Sequence, residues 1–221
     1  MRILLAPETT PGRGSGHLRR ALRLLAELPQ ARLLVQGERD RLGDLLADVD
    51  PQRVVATMDG EWDRVVVDRF ELTESQAREF LALGPTIGLD TGGPGRELLD
   101  YVIDTFPRLD ASPANVRDPA LLDLPSPPAA GSPRSGVLVT FGGEDPAHLT
   151  ESTASLLARA GLAGATTVVR PAMRGLGAVA DGVTVVDPQP TLAPLLLTAD
   201  TVVTSFGLTA YEARAAGARV V

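Results

Sequence analysis

The chain of 221 residues has no cysteine and no lysine, so all 21 basic residues are arginine. Without cysteine there can be no disulfide, no zinc thiolate and no cysteine nucleophile. Without lysine there is no Schiff base and no phosphate-binding lysine of the P-loop kind. Apolar runs of about 18 residues are also missing, so no membrane-spanning helix and no stable membrane insertion are expected. Only Arg2 precedes the first short apolar run, and no cleavage pattern follows it, which reads as a chain without a secretory signal and predicts a cytoplasmic protein. A basic surplus is lacking as well. The formal charge is −7 and the pI about 4.9, which argues against a nucleic-acid partner, because such proteins neutralise phosphates with a basic face.

What the sequence does hold is an alternation of short apolar runs with amphipathic stretches. The first half reads "RILLA", "HLRRALRLLAEL", "ARLLV", "RVVV", "TESQAREFLAL", "TIGL" and "DYVID". Runs of four or five apolar residues, each followed by a helical pattern, predict a parallel sheet covered on both faces. Between 107 and 135 the pattern stops, and Pro107, Pro113, Pro119, Pro125, Pro127, Pro128 and Pro133 crowd one segment. Proline removes an amide donor and biases its predecessor away from helix, so this segment is read as a linker. The alternation restarts with "GVLVTF" and runs to the end. The fold class expected is therefore α/β with two Rossmann-like lobes, 1–106 and 136–221. The final "RVV" reads as the start of a buried strand, so the second lobe is expected to be incomplete.

Several strand ends carry chemistry. After "RILLA" come Gly12, Gly14 and Gly16, followed at once by His17. Glycines permit close backbone approach, and the free amides of a helix N-terminus attract anions, so this loop suits a phosphate or a polar sugar. It also reads as a plain tight turn, since neither G-x-G-x-x-G nor a P-loop is present. A helix N-terminus disfavours an imidazolium, so His17 is a candidate general base; the alternative is a histidine that caps its own helix. Asp68 ends "RVVVD" and Asp90 ends "TIGLD". On parallel strands both face the crevice of His17, where one would orient the imidazole or hold a sugar hydroxyl, although Asp is also a common turn former. In "VTFGGEDP", Gly142 and Gly143 open a helix expected near Pro146, with Asp145 as a possible cap and free amides for a diphosphate. In "ADTVVTSFGLTAYEARAAG", Gly207 makes a turn, and Thr209 and Glu212 have capping-box spacing. The other reading has Thr209 holding phosphate and Glu212 accepting from two ribose hydroxyls.

Taken together, "GSGHLRR", "VVVDRF", "VTFGGEDP" and "ADTVVTSFGLTAYEARAAG" resemble the UDP-sugar hydrolase of pseudaminic acid synthesis and the related spore-coat polysaccharide glycosyltransferase-like proteins. More distantly the chain is similar to the lipid II N-acetylglucosaminyltransferase, which has the two-lobe GT-B architecture. The resemblance implies that His17 acts on the attacking nucleophile, that Arg20 matches an arginine three residues later, and that Asp68 is the acid closing the middle strand. It further implies that the turn from Phe141 to Pro146 holds the diphosphate and that Glu212 binds the ribose. The chain departs from the pattern at Leu208, where serine is usual, at Thr91, where a second aspartate is usual, and at Glu144, which puts an extra carboxylate beside the proposed phosphate site.

These readings predict an enzyme that binds a UDP-sugar between its lobes and substitutes at the anomeric carbon, by water or by the hydroxyl of a sugar or lipid-linked acceptor. His17, or less readily Asp68, removes the nucleophile's proton. No metal and no other cofactor is called for. The alternatives are a non-catalytic nucleotide-sugar-binding module and an NAD-dependent oxidoreductase.

Overall fold

The computed structural model describes residues 1–13, 15–37, 42–106, 112–118, 124–129, 131–205 and 207–221, and of Asp44 only the backbone. The chain divides into two compact units, Met1–Asp123 and Leu124–Val221. In the first, β1 (Ile3–Pro7) is buried along its whole length, as an uninterrupted apolar strand must be when both faces are covered. It pairs in parallel with β2 (Ala31–Leu34) on one side and β4 (Arg64–Asp68) on the other. Beyond β2 lies β3 (Val54–Val55); beyond β4 follow β5 (Thr86–Leu89), β6 (Tyr101–Asp104) and β7 (Val116–Arg117). The seven strands are ordered β3-β2-β1-β4-β5-β6-β7, every pairing parallel. The winding reverses between β1 and β4, which opens a crevice at their carboxyl ends.

Helix α1 (Gly16–Glu27) buries Leu18, Ala21 and Leu25, one stripe of a helix, against this sheet. Its C-terminal carbonyls are gathered by Arg53, whose Nη2 donates to Leu25 O and Leu28 O, each at 2.7 Å. After the short α2 (Gly43–Leu46), α3 (Glu74–Leu81) starts with a true capping box. Thr73 Oγ1 accepts from Gln76 N at 3.2 Å and Gln76 Oε1 accepts from Thr73 N at 3.1 Å. The core under α3 joins Trp62, Val65, Val67, Leu72 and Phe80. Within the proline-rich segment, Val116–Arg117 adds an edge strand to the sheet instead of running free; residues 107–111, 119–123 and 130 of that segment lie outside the described residues.

The second unit repeats the plan with β8 (Val137–Val139), β9 (Thr166–Val169), β10 (Thr184–Val186), β11 (Thr201–Val203) and β12 (Arg219–Val220), all parallel, in the order β10-β9-β8-β11-β12. Its helices are α4 (Leu149–Arg159), α5 (Ala193–Thr198) and α6 (Leu208–Ala215). Here the winding reverses between β8 and β11, so α4 and α6 both begin beside that crevice. Leu138, Leu196, Val202, Ala213 and Ala216 form the core. Arg134, also from the proline-rich segment, ties α5 and α6 together at their C-terminal ends by donating to Leu196 O, Ala199 O and Ala216 O.

Candidate functional site

The strand register brings the first lobe's predicted residues together. Pro7 of β1 is paired with Asp68 of β4, so both strands end at the same height, and α1 begins nine residues after Pro7. His17 is the second residue of α1. Its Nδ1–H donates to Asp68 Oδ1 at 2.6 Å, since an ionised carboxylate can only accept. Arg20, one turn further on the same helix face, grips Asp68 with both arms of its fork: Nε to Oδ2 and Nη2 to Oδ1, each at 2.7 Å. Its Nη1 reaches on to Asp90 and to Thr105 Oγ1, the latter at 3.1 Å.

Asp68 is 3% exposed. Burial alone would raise its pKa, but the hydrogen bond from His17 and the charge and hydrogen bonds of Arg20 hold it below the ordinary carboxylate range. Burial works against the Arg20 guanidinium too, and Asp68 and Asp90 outweigh it, raising its pKa above the usual value. Asp68 and Arg20 therefore form an ion pair. Because Nδ1 is taken, the imidazole presents Nε2, and 18% of the His17 side chain remains open to solvent. Asp68 has both oxygens occupied, so it orients the ring and is badly placed to take a proton itself.

Asp90 sits just after β5 with φ 49° and accepts from Thr105 N at 2.6 Å, from Phe106 N at 3.0 Å, from Thr105 Oγ1 and from Arg20. Its oxygens thus serve protein donors and hold the loop after β6 against Arg20. Thr105 and Phe106, whose ring centroid lies 5.7 Å from Arg20 Cζ, were invisible as site residues in the sequence, where nothing marks them as partners of Asp90. In the glycine loop, Gly16 opens α1 and a Cβ there would meet no atom within 4 Å; Gly12, with φ 83°, needs a glycine's freedom. Gly14 lies outside the described residues.

The second lobe corrects two expectations. Helix α4 does not start near Pro146: it starts at Leu149, after His148 at φ 54°, and Pro146 lies in the preceding turn. Asp145 does cap it, from four and five residues away, by accepting from Leu149 N and Thr150 N, each at 2.9 Å. Those amides are therefore committed to a protein carboxylate. Arg174 closes the turn, donating to Asp145 Oδ2 at 2.7 Å and to both oxygens of Glu151 at 2.8 Å. Burial would raise the Asp145 pKa, and the Thr150, Leu149 and Arg174 hydrogen bonds lower it. Glu144 is buried as well, so the diphosphate read at Gly142 and Gly143 would meet two buried carboxylates, although Gly142, with φ 83°, keeps open space where a Cβ would stand.

The other correction concerns Thr209 and Glu212. The N-cap of α6 is Gly207 and Thr209 is already the second helical residue, so Thr209 is not the cap and the capping box does not form. No acidic residue lies in the first turn, and a Cβ at Gly207 would meet nothing within 4 Å. Glu212, half-buried, stands one turn further along the helix. A cavity of about 470 Å³ in this lobe, lined by Arg170, Leu176, Val179 and Val185 among others, contains none of these residues; its one charged group, Arg170, pairs with Asp187 at 3.2 Å. Among the described residues no three His, Asp or Glu side chains converge as metal ligands, and no helix is long and apolar enough to cross a membrane.

No protein family's sequence profile matches the chain, and comparison of sequences with curated proteins finds no match. Comparison of structures does. The spinosyn rhamnosyltransferase SpnG is similar over all of this chain and 80% of its own, at 16% identity and a TM-score of 0.56. Its complex with thymidine diphosphate gives 15% and 0.54. UGT89C1 of Arabidopsis thaliana, complexed with UDP-L-rhamnose, is similar over all of this chain and 78% of its own, at 11% identity and a TM-score of 0.53. The chain has the GT-B glycosyltransferase fold of two Rossmann-like lobes.

Proposed function

We propose that this protein is a nucleotide-sugar-dependent enzyme that substitutes at the anomeric carbon of a UDP-sugar, with water or an acceptor hydroxyl as nucleophile and UDP as leaving group. The observation that carries the reading is the His17–Asp68 pair at the winding reversal of the first lobe, with Nδ1 anchored at 2.6 Å and part of the side chain open to solvent. Nε2 takes the nucleophile's proton while Asp68 fixes the ring and stabilises the imidazolium that results. The leaving diphosphate gains negative charge as its bond breaks, and helix N-terminal amides oppose it most effectively where nothing else claims them. That condition favours α6, which has no acid in its first turn, over α4, whose first amides Asp145 takes; in this reading Glu212 on α6 accepts from the ribose hydroxyls. The neighbours bound to thymidine diphosphate and UDP-L-rhamnose support a nucleoside diphosphate of this class.

Calorimetric titration of the purified chain with UDP, thymidine diphosphate and NAD tests the ligand. Saturable binding of UDP, absent for NAD, is expected, with Glu212→Ala weakening it about tenfold or more. Release of UDP from a panel of UDP-sugars then tests the chemistry: His17→Ala should bind UDP within about twofold of wild type and lose about 10²- to 10⁴-fold in turnover. Full turnover in His17→Ala would remove the base from the mechanism.

A further inference from the structure

Among the described residues one other arginine, Arg96, is buried, and the half-buried arginines also have partners for their charge. Arg20 and Arg174 grip carboxylates, Arg96 holds Asp104 bidentately at 2.8 Å, and Arg53 and Arg134 collect helix-end carbonyls. Arg69 is different. It is 7% exposed, donates from Nη2 to the neutral Gln36 Oε1 at 2.8 Å, and leaves its buried Nε without a partner. Among the described residues no carboxylate pairs with it, and the Phe80 ring, 5.3 Å from Cζ, supplies only a weak counterweight. Burial lowers its pKa, with Glu8 and Glu79 opposing from a distance. Glu8 and Glu79 act on it through space without bonding to it, and a buried guanidinium with no directly bonded carboxylate is costly, so an anion from outside would complete its hydrogen bonding.

Its position suits such a visitor. Arg69 directly follows Asp68 at the carboxyl end of β4, on the opposite face of the pleat, where the ends of β1 and β2 also converge. Gln36 is held there by its own backbone, which accepts from Thr9 Oγ1 at 2.9 Å, and beside it a Cβ on Gly37 would meet nothing within 4 Å. We propose that Arg69, positioned by Gln36, binds an anionic group, phosphate or carboxylate, of the acceptor substrate. The acceptor's identity rests on the function proposed above; the anion site does not. With such an acceptor the reaction is transfer. The acceptor hydroxyl oxygen bonds to the anomeric carbon as the bond to the diphosphate breaks, the diphosphate leaves with the electron pair, and the hydroxyl proton passes to His17 Nε2.

The test is the thermal midpoint of the full chain against rising inorganic phosphate and, separately, acetate, with ionic strength held constant by chloride. A saturable rise of several degrees is expected with one or both anions, and the anion effective at lower concentration names the group. Arg69→Met should abolish the rise, keep a midpoint at or above wild type, and bind UDP within twofold. Should Arg69→Met fail to fold, Gln36→Leu decides, because it leaves the cation in place and should weaken the response several-fold. No rise in wild type, a rise surviving in Arg69→Met but lost in UDP-saturated protein, or an unchanged response in Gln36→Leu overturns the proposal. Loss of UDP binding with the phosphate response intact would instead sink the nucleotide reading alone.

Discussion

In the second lobe two helices start beside the same crevice and have differently built N-termini. Helix α4 follows a Gly-Gly turn and fills its own N-terminus with Asp145, backed by Arg174 and Glu151. Helix α6 follows a single glycine at its N-cap, with no acid in its first turn. Both arise from a strand, a glycine and a helix, so that pattern alone does not make a phosphate site. The deciding factor is whether a carboxylate of the chain itself reaches the amides first. Two acids at unusual backbone angles, Asp145 at φ 41° and Asp90 at φ 49°, do this job in the two lobes, each satisfying two backbone amides after a strand end. Asp tolerates the left-handed region better than most residues because its short side chain bonds locally.

The comparison can be broken most severely at Asp145. Asp145→Ala strips two amides of their acceptor and leaves Arg174 with Glu151 alone, so urea unfolding should report a loss of about 2–4 kcal/mol. A loss below about 0.5 kcal/mol would mean that the amides of α4 do not depend on that carboxylate.

A smaller effect is expected from pH. The hydrogen bond from Arg174, with a further one from Gly177 N, outweighs burial and holds Glu151 at about 2, below its ordinary 4.5. A carboxylate whose folded pKa is depressed stabilises the fold fully above its unfolded pKa, and that contribution disappears as pH falls towards the folded value. Stability should therefore decline between about pH 5 and 2, and Glu151→Gln should flatten the decline by about 1 kcal/mol after allowance for screening at this partly solvated pair. Asp145 and Asp68, also depressed, keep part of the decline in the variant. A pH profile identical to wild type would show that the Arg174 pair adds nothing.

The smallest effect sharpens the contrast. Thr209→Ala should change stability by less than about 0.5 kcal/mol, because Thr209 caps nothing, whereas Thr73→Ala at the true capping box of α3 should cost about 1 kcal/mol. Equal losses at both positions would restore the capping box to α6.

Those two threonines show where sequence reading stops. Thr73–Gln76 and Thr209–Glu212 have the same spacing and similar composition, yet only the first closes. At α6 the helix begins two residues earlier than a capping box at Thr209 would need, with Gly207 at the N-cap, and Thr209 is carried into the first turn. The pairing of His17 with Asp68 was legible, because both lie at the ends of strands whose apolar runs define their length and whose parallel order follows from the alternation. Arg174 was not legible: it reaches Asp145 across 29 positions from a loop with no motif of its own.

The sequence by itself determined the longer strands, the starts of α1 and α3, the two-lobe plan and the placing of His17 and Asp68 at one sheet edge, since all of these follow from local periodicity and from the lengths of apolar runs; the two-residue strands β3 and β7 carry too short a pattern to be read. Only the tertiary structure decided which groups meet: Arg20 with Thr105 over 85 positions, Asp145 with the amides of α4, and Arg69 with Gln36 and, among the described residues, no bonded carboxylate. Such partnerships depend on the direction a side chain takes from a packed backbone, and an angstrom or two at a strand end determines whether a carboxylate fills a helix N-terminus or leaves it for a ligand.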